Sequence, residues 1–232
     1  YGFKDLKDCI AGGVSLHTGD KVYYDNKGKD LVLFAIGNEP LETGMNILGA
    51  HIDSPRLDLK QHPLYEDKGI ALLKTHYYGG VKKYQWVAMP LAMHGVVCKK
   101  DGTCVNVVIG EDPDDPVLGI TDLLPHLAAG QMEKPAAKII EGEEMNITFG
   151  TIPAKEEEKD AVKAAILTSL KEKYGIEEDD FMSAELEMVP AGPARDYGLD
   201  RSMVMGYGQD DRVCGYTSLM ALLDGGCQQK GH

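Results

Sequence analysis

No stretch of the 232 residues is long and apolar enough to cross a bilayer. The longest purely apolar runs, such as residues 31–36, fall far short of the about 20 residues a spanning helix needs. Basic residues are scarce: 24 Lys and Arg stand against 37 Asp and Glu, and a formal charge of −13 argues against a phosphate-backbone partner. Paired cysteines are also lacking. Cys9, Cys98, Cys104, Cys214 and Cys227 are odd in number and contain no CxxC, which suits reduced cytoplasmic thiols rather than a disulfide framework. The front of the chain, Tyr1-Gly2-Phe3-Lys4-Asp5, has neither a start methionine nor the basic-then-apolar pattern of a signal peptide, so it reads as trimmed. What is present is ordinary globular usage, 43% apolar and 26% charged, enough for one large soluble domain or two modest ones.

Residues 21–36 read as a hairpin. Val22-Tyr23-Tyr24 lies on one arm, Asp25-Asn26-Lys27-Gly28 supplies the turn, and an apolar run, Leu31 to Ile36, forms the other. Residues 45–50 form a second apolar run of strand length that ends abruptly in His51-Ile52-Asp53-Ser54-Pro55. In open α/β sheets the carboxyl ends of strands line the ligand crevice, so chemistry is expected there. Between about residues 65 and 199 the texture changes to short β-type runs, such as 105–109 and 145–152, separated by Gly, Pro and acidic loops. One helix is expected over 156–174. Val162, Ile166, Leu170 and Tyr174 recur on one face, glutamates 156 to 158 favour the N-terminal dipole, and Gly175 sits just past the end. Residues 181–189 return to strand alternation, and a last helix is expected over 213–223, stopped by Gly225-Gly226.

A His and an Asp two residues apart at a strand end share a face, so the carboxylate can accept one ring N–H and aim the other nitrogen at a metal. His51 and Asp53 have that spacing, although on spacing alone a structural histidine is the commoner outcome. Asp210-Asp211 ahead of the last helix is equally ambiguous, since a carboxylate there usually serves as a cap. Together the two pairs supply half of a dinuclear site, in which one carboxylate bridges two ions and a histidine flanks each.

Four motifs in order, Ala50-His51-Ile52-Asp53-Ser54-Pro55, Tyr78-Gly79-Gly80 followed by Trp86, Pro125-His126-Leu127-Ala128 and Gln209-Asp210-Asp211-Arg212, resemble landmarks of the M18 metalloaminopeptidases, the aspartyl aminopeptidase family. The resemblance runs over most of the chain. It implies an α/β fold with a mixed-sheet zinc-peptidase catalytic domain, incomplete here, formed by residues 1–64 and 200–232 and interrupted by an inserted β-rich dimerisation domain, 65–199. It implies two zinc ions in the intact enzyme, His51 as a zinc ligand, Asp53 as its orienting carboxylate and Asp210 as the bridge, with the role of Asp211 left open. His126 would reach the substrate of a neighbouring subunit's active site in trans. Peptides with acidic, in some members neutral, N-terminal residues would be the substrates, and the chains would form dimers that build dodecamers in the cytoplasm.

In that family the general-base glutamate and the remaining ligands follow the bridging aspartate by a few tens of residues. After Arg212 only twenty residues remain, with Asp224 and His232 as the further candidates. The chain alone is therefore expected to hold an incomplete site, to lack activity and to expose apolar surface. The alternative is a non-catalytic oligomerisation fragment or vestigial homologue. His17, His62, His76 and His94 are scattered and read as surface or core residues, Gly79-Gly80 lacks the lysine and helix of a phosphate loop, and Lys82-Lys83 reads as solvated surface.

Overall fold

A computed structural model describes residues 1–155 and 159–225. It divides into two compact units. The first is formed by residues 1–53 and those from 208 onward, the second by residues 54–207. The divisions fall at 53/54 and 207/208 rather than at 64/65 and 199/200. A cut at 64/65 would pass through a twelve-residue strand, and a cut at 199/200 would separate the arms of a small hairpin.

In the first unit, β1 (Lys4–Asp5) pairs parallel with β2 (Lys21–Asn26), which pairs antiparallel with β3 (Asp30–Ala35), giving a small mixed sheet. Helix α1 (Leu6–Ala11) begins at Asp5, whose side chain accepts the Lys7 N–H at 2.7 Å. Cys9 and Val22 are buried between these elements. The expected hairpin is present, with the Gly28 N–H donating to Asp25 Oδ1 at 2.7 Å in the turn. Its second arm is not buried: Leu31, Val32 and Phe34 are exposed. Residues 45–50 are a clearer departure. They lie outside any sheet, with Met45, Ile47 and Leu48 exposed, because the sheet ends at β3 and a strand exists only where a neighbour completes its ladder.

The second unit is built on a six-stranded antiparallel sheet. Its strands are β4 (Arg56–Asp67), β5 (Ile70–Tyr78), β6 (Leu91–Cys98), β7 (Cys104–Ile109), β8 (Ile147–Gly150) and β9 (Ala184–Pro190), in the order β7-β6-β9-β4-β5-β8. Leu57, Leu73, Leu91, Ile147 and Met188 are fully buried along it. The short helix α2 (Ala129–Met132) belongs to the loop between β7 and β8. Helix α3 (Ala161–Tyr174) lays Val162 and Leu170 into the core, on the face the periodicity marks out. Its start is held from a distance: Glu66 Oε2 on β4 accepts the N–H groups of Val162 at 2.9 Å and Lys163 at 3.0 Å. At its other end Gly175 turns left-handed and the Ile176 N–H returns to the Leu170 carbonyl, which brings two buried apolar residues together. The glutamates 156 to 158 lie outside the described residues.

The strand expected from 181 begins later. Phe181 and Met182 lie in a 3-10 turn (Glu178–Ser183), and β9 carries the buried pair Leu186 and Met188. A hairpin of β10 (Arg195–Tyr197) and β11 (Met203–Met205) closes the unit, and the chain ends its described part in α4 (Gln209–Gly225) of the first unit. Among the described residues no helix is long and apolar enough to cross a membrane.

Gly95 is the most closely approached of the described glycines. It has φ 147°, and a Cβ there would sit 1.9 Å from the Glu185 carbonyl oxygen on β9. Gly95→Ala should cost about 3 kcal/mol or more, combining backbone strain with a clash against main chain. Gly130→Ala in α2, which meets nothing within 4 Å, should leave stability within about 0.5 kcal/mol. Chemical denaturation of the two variants measures the difference.

Candidate metal centre

Residues 51–53 lie on an irregular segment, so the His51–Asp53 geometry does not arise from strand alternation as the spacing suggests. It arises from a local bond. His51 Nδ1 is 3.0 Å from the Asp53 main-chain carbonyl and 3.2 Å from its Oδ1. An Nδ1–H donating there fixes the tautomer and turns Nε2 outward as the lone-pair nitrogen.

Nε2 faces the start of α4, 3.3 Å from Asp210 Oδ1 and 4.0 Å from Asp211 Oδ2. Regular helix begins only after these two residues. Asp210 (φ −92°, ψ 111°) and Asp211 (φ −123°, ψ 36°) are non-helical, and the bond between them is cis. Donor atoms of His51, Asp210 and Asp211 all lie within 4.8 Å of one another. Tetrahedral ligands about 2.0–2.2 Å from a zinc ion stand about 3.3 Å apart, so the His51–Asp210 separation suits two ligands of one ion. One imidazole and two carboxylates are the borderline nitrogen and hard oxygen donors that zinc accepts. The three residues therefore fit a divalent metal.

Asp210 is almost wholly exposed, at 93% of its side chain, whereas Asp211 is at 22%. Asp211 also interacts with Cys214, one turn along α4, whose thiol it pushes above the ordinary cysteine range. The first turn of α4 also lies directly on the histidine segment. A Cβ at Gly215 would come 3.1 Å from Ile52 Cγ2 and 3.9 Å from the His51 carbonyl oxygen. Neither Cys214 nor Gly215 stands out in the sequence, since a lone thiol and a mid-helix glycine carry no spacing signal.

His126 lies in the second unit, exposed on a 3-10 turn (Pro125–Leu127). Its loop is tied by Asp122, whose Oδ1 accepts from the Leu123 N–H and from Gln131 Nε2. Leu123, Leu124 and Leu127 beside it are exposed.

The model of the family described as aminopeptidase I zinc metalloprotease (M18) matches residues 1–230. The chain belongs to the M18 family. A probable M18 family aminopeptidase 1 of Clostridium acetobutylicum is 64% identical over 224 residues, covering 96% of this chain and 48% of that protein. The crystal structure of aminopeptidase I from the same organism superposes with a TM-score of 0.88, covering 96% of this chain and 49% of the other. A Thermotoga maritima relative is 50% identical over 225 residues, again covering 96% of this chain and 48% of its own length. The chain thus spans about half the length of the curated relatives it matches. A Saccharomyces structure described as the mApe1 dodecamer, 21% identical with a TM-score of 0.62, covers 89% of this chain and 45% of that one and shares the fold.

The His51 pKa is raised above its ordinary 6.5, chiefly by the Asp53 carbonyl and then by the carboxylates of Asp53, Asp211 and Asp210. A histidine raised in the folded state contributes stability that is full below its unfolded pKa and is lost as pH rises through the folded one. Metal needs the neutral ring, so the two demands oppose each other. Titration of His51 by NMR should give a midpoint above 6.5, and zinc affinity should weaken as pH falls through that midpoint. A zinc affinity flat across the window would contradict ligation by this ring. Gly215→Val should lower zinc affinity by about 10- to 100-fold by pushing α4 off Ile52, as disturbed supports of metal ligands do. Isothermal titration measures it.

Proposed function

We propose that the protein to which this chain belongs is a zinc-dependent aminopeptidase that releases single residues, acidic or in some cases neutral, from peptide N-termini. The observation that carries the reading is the meeting of His51 Nε2 with Asp210 and Asp211, residues far apart in the chain. Zinc held there would supply Lewis-acid assistance to hydrolysis of the N-terminal peptide bond.

Each residue has a separate task. His51 presents a lone-pair nitrogen, and Asp53 holds the ring from behind through Nδ1. Asp210, exposed and non-helical, has carboxylate oxygens able to serve two ions at once. His126, on its exposed turn, acts in trans on the substrate of a neighbouring subunit. The β-rich second unit serves dimerisation, and dimers build a larger assembly of the kind the mApe1 dodecamer represents. The compartment is cytoplasmic.

This chain on its own is inactive. Among the described residues the metal-competent cluster holds His51, Asp210 and Asp211, and Asp211 also hydrogen-bonds with Cys214. No group in it is placed to take a proton from attacking water without also being a ligand. Exposed Leu31, Val32, Phe34, Ile47 and Ile52 in the first unit are apolar surface that such a half-site leaves in water.

The test is made in the whole protein and in the 232-residue chain side by side. Asp210→Ala in the whole protein should lower kcat/KM about a thousandfold while the circular-dichroism spectrum stays unchanged, because several kcal/mol of charge stabilisation is lost. His126→Ala should leave zinc content intact and lower turnover only in the assembled form. Retained turnover in Asp210→Ala, or turnover by the chain alone comparable to that of the whole protein, would refute the assignment.

A further inference from the structure

Two of the cysteines face each other across a hairpin that takes no part in the metal centre. Cys98 ends β6 and Cys104 begins β7, and the two are register partners. Both are free thiols, Cys98 half-buried and Cys104 exposed, and their Sγ atoms are 2.8 Å apart.

The turn between them sets this geometry. The Gly102 N–H donates to the Lys99 carbonyl at 2.9 Å, the Lys99 N–H donates to the Thr103 carbonyl at 2.8 Å, and Gly102 has φ 85°. This is a three-residue hairpin loop closed by a left-handed glycine. Asp101 Oδ1 accepts both the N–H and the hydroxyl of Thr103, which locks the turn. Because Lys99 and Thr103 form a hydrogen-bonded position, the next pair outward, Cys98 and Cys104, occupies a non-hydrogen-bonded one. There Cα atoms approach to about 4.5 Å and side chains are at their closest. That separation lies inside the range a disulfide spans, about 4.4–6.8 Å. The position is accessible as well: β7 is one of the two edge strands of the sheet, and Cys104 on it is exposed.

The base of the hairpin is held in place by other parts of the second unit. The Ser183 hydroxyl donates to the Cys98 carbonyl, and Lys100 Nζ pairs with Asp179 at 3.0 Å. These contacts fix the end of the hairpin on which the two thiols face each other.

We infer that Cys98 and Cys104 form a reversible dithiol–disulfide site that reacts with small-molecule disulfides of the glutathione type. The exposed Cys104 thiolate attacks one sulfur of the small disulfide, forming a mixed disulfide and expelling one thiolate. Cys98 then loses its proton, attacks the Cys104 sulfur and expels the second thiolate. The two cysteines together give up two electrons and two protons, and the small disulfide becomes two thiols.

The test is oxidation of the folded protein with oxidised glutathione, blocking of remaining thiols with iodoacetamide, and peptide mass spectrometry. The expected result is a Cys98–Cys104 cross-linked peptide lighter by two hydrogens, with loss of alkylation at both sites and full recovery after dithiothreitol. Cys214, which has no thiol opposite it among the described residues, should carry either glutathione or the alkyl group. Cys98→Ser should trap glutathione on Cys104 as a persistent adduct, because the second attack is missing. Separate glutathione adducts on Cys98 and Cys104 in the unsubstituted protein would overturn the inference. So would continued alkylation of both after Cys214 has reacted. The unsubstituted protein decides the matter, so a variant that fails to fold leaves the test intact.

Discussion

The packing of α4 on the segment that carries His51 brings the three candidate metal ligands together. A helix axis normally stands off a neighbouring chain by the width of a side chain. Gly215 removes that spacer opposite Ile52, and the non-helical residues Asp210 and Asp211 just ahead of it come within reach of the imidazole. The ring in turn is not free to choose its orientation, because Nδ1 is committed to Asp53. Two short-range constraints, one behind the ring and one beneath the helix, thus determine where a cation would sit. The cost is a concentration of negative charge around a single imidazole, which raises its proton affinity and makes proton and metal direct competitors.

The second unit is organised differently. Its long helix has no local cap: Asp160 makes no capping bond, and the amides at its start are satisfied by Glu66 from the sheet. Helix position is therefore written into strand β4 as much as into the helix itself. The far end is conventional, with a left-handed glycine and an apolar contact behind it. Between these anchors the Val162 and Leu170 face is buried against the sheet.

Much of this was legible in the residues themselves. The helical face of α3, its glycine stop, the first hairpin and the alternation of Leu186 and Met188 depend on local period and turn chemistry, which sequence carries directly. The pairing of His51 with Asp210 was legible only through the resemblance of ordered motifs, because neither residue type nor spacing links two positions so distant. Three features could not be read. Residues 45–50 have strand composition but take up strand form only where another strand lies beside them, and β3, although paired with β2, is apolar without being buried because among the described residues nothing covers Leu31, Val32 and Phe34. The orienting bond to His51 comes from the main-chain carbonyl of Asp53 as well as its carboxylate, and main-chain acceptors leave no trace in residue identity. Gly215 matters through what lies opposite it, which only the folded structure shows.

Anomalous diffraction at the zinc edge from crystals of the whole protein tests the central claim most directly. The account predicts a peak about 2.0–2.2 Å from both His51 Nε2 and a carboxylate oxygen of Asp210. Zinc bound elsewhere, with His51 and Asp210 contributing to no metal, would contradict it.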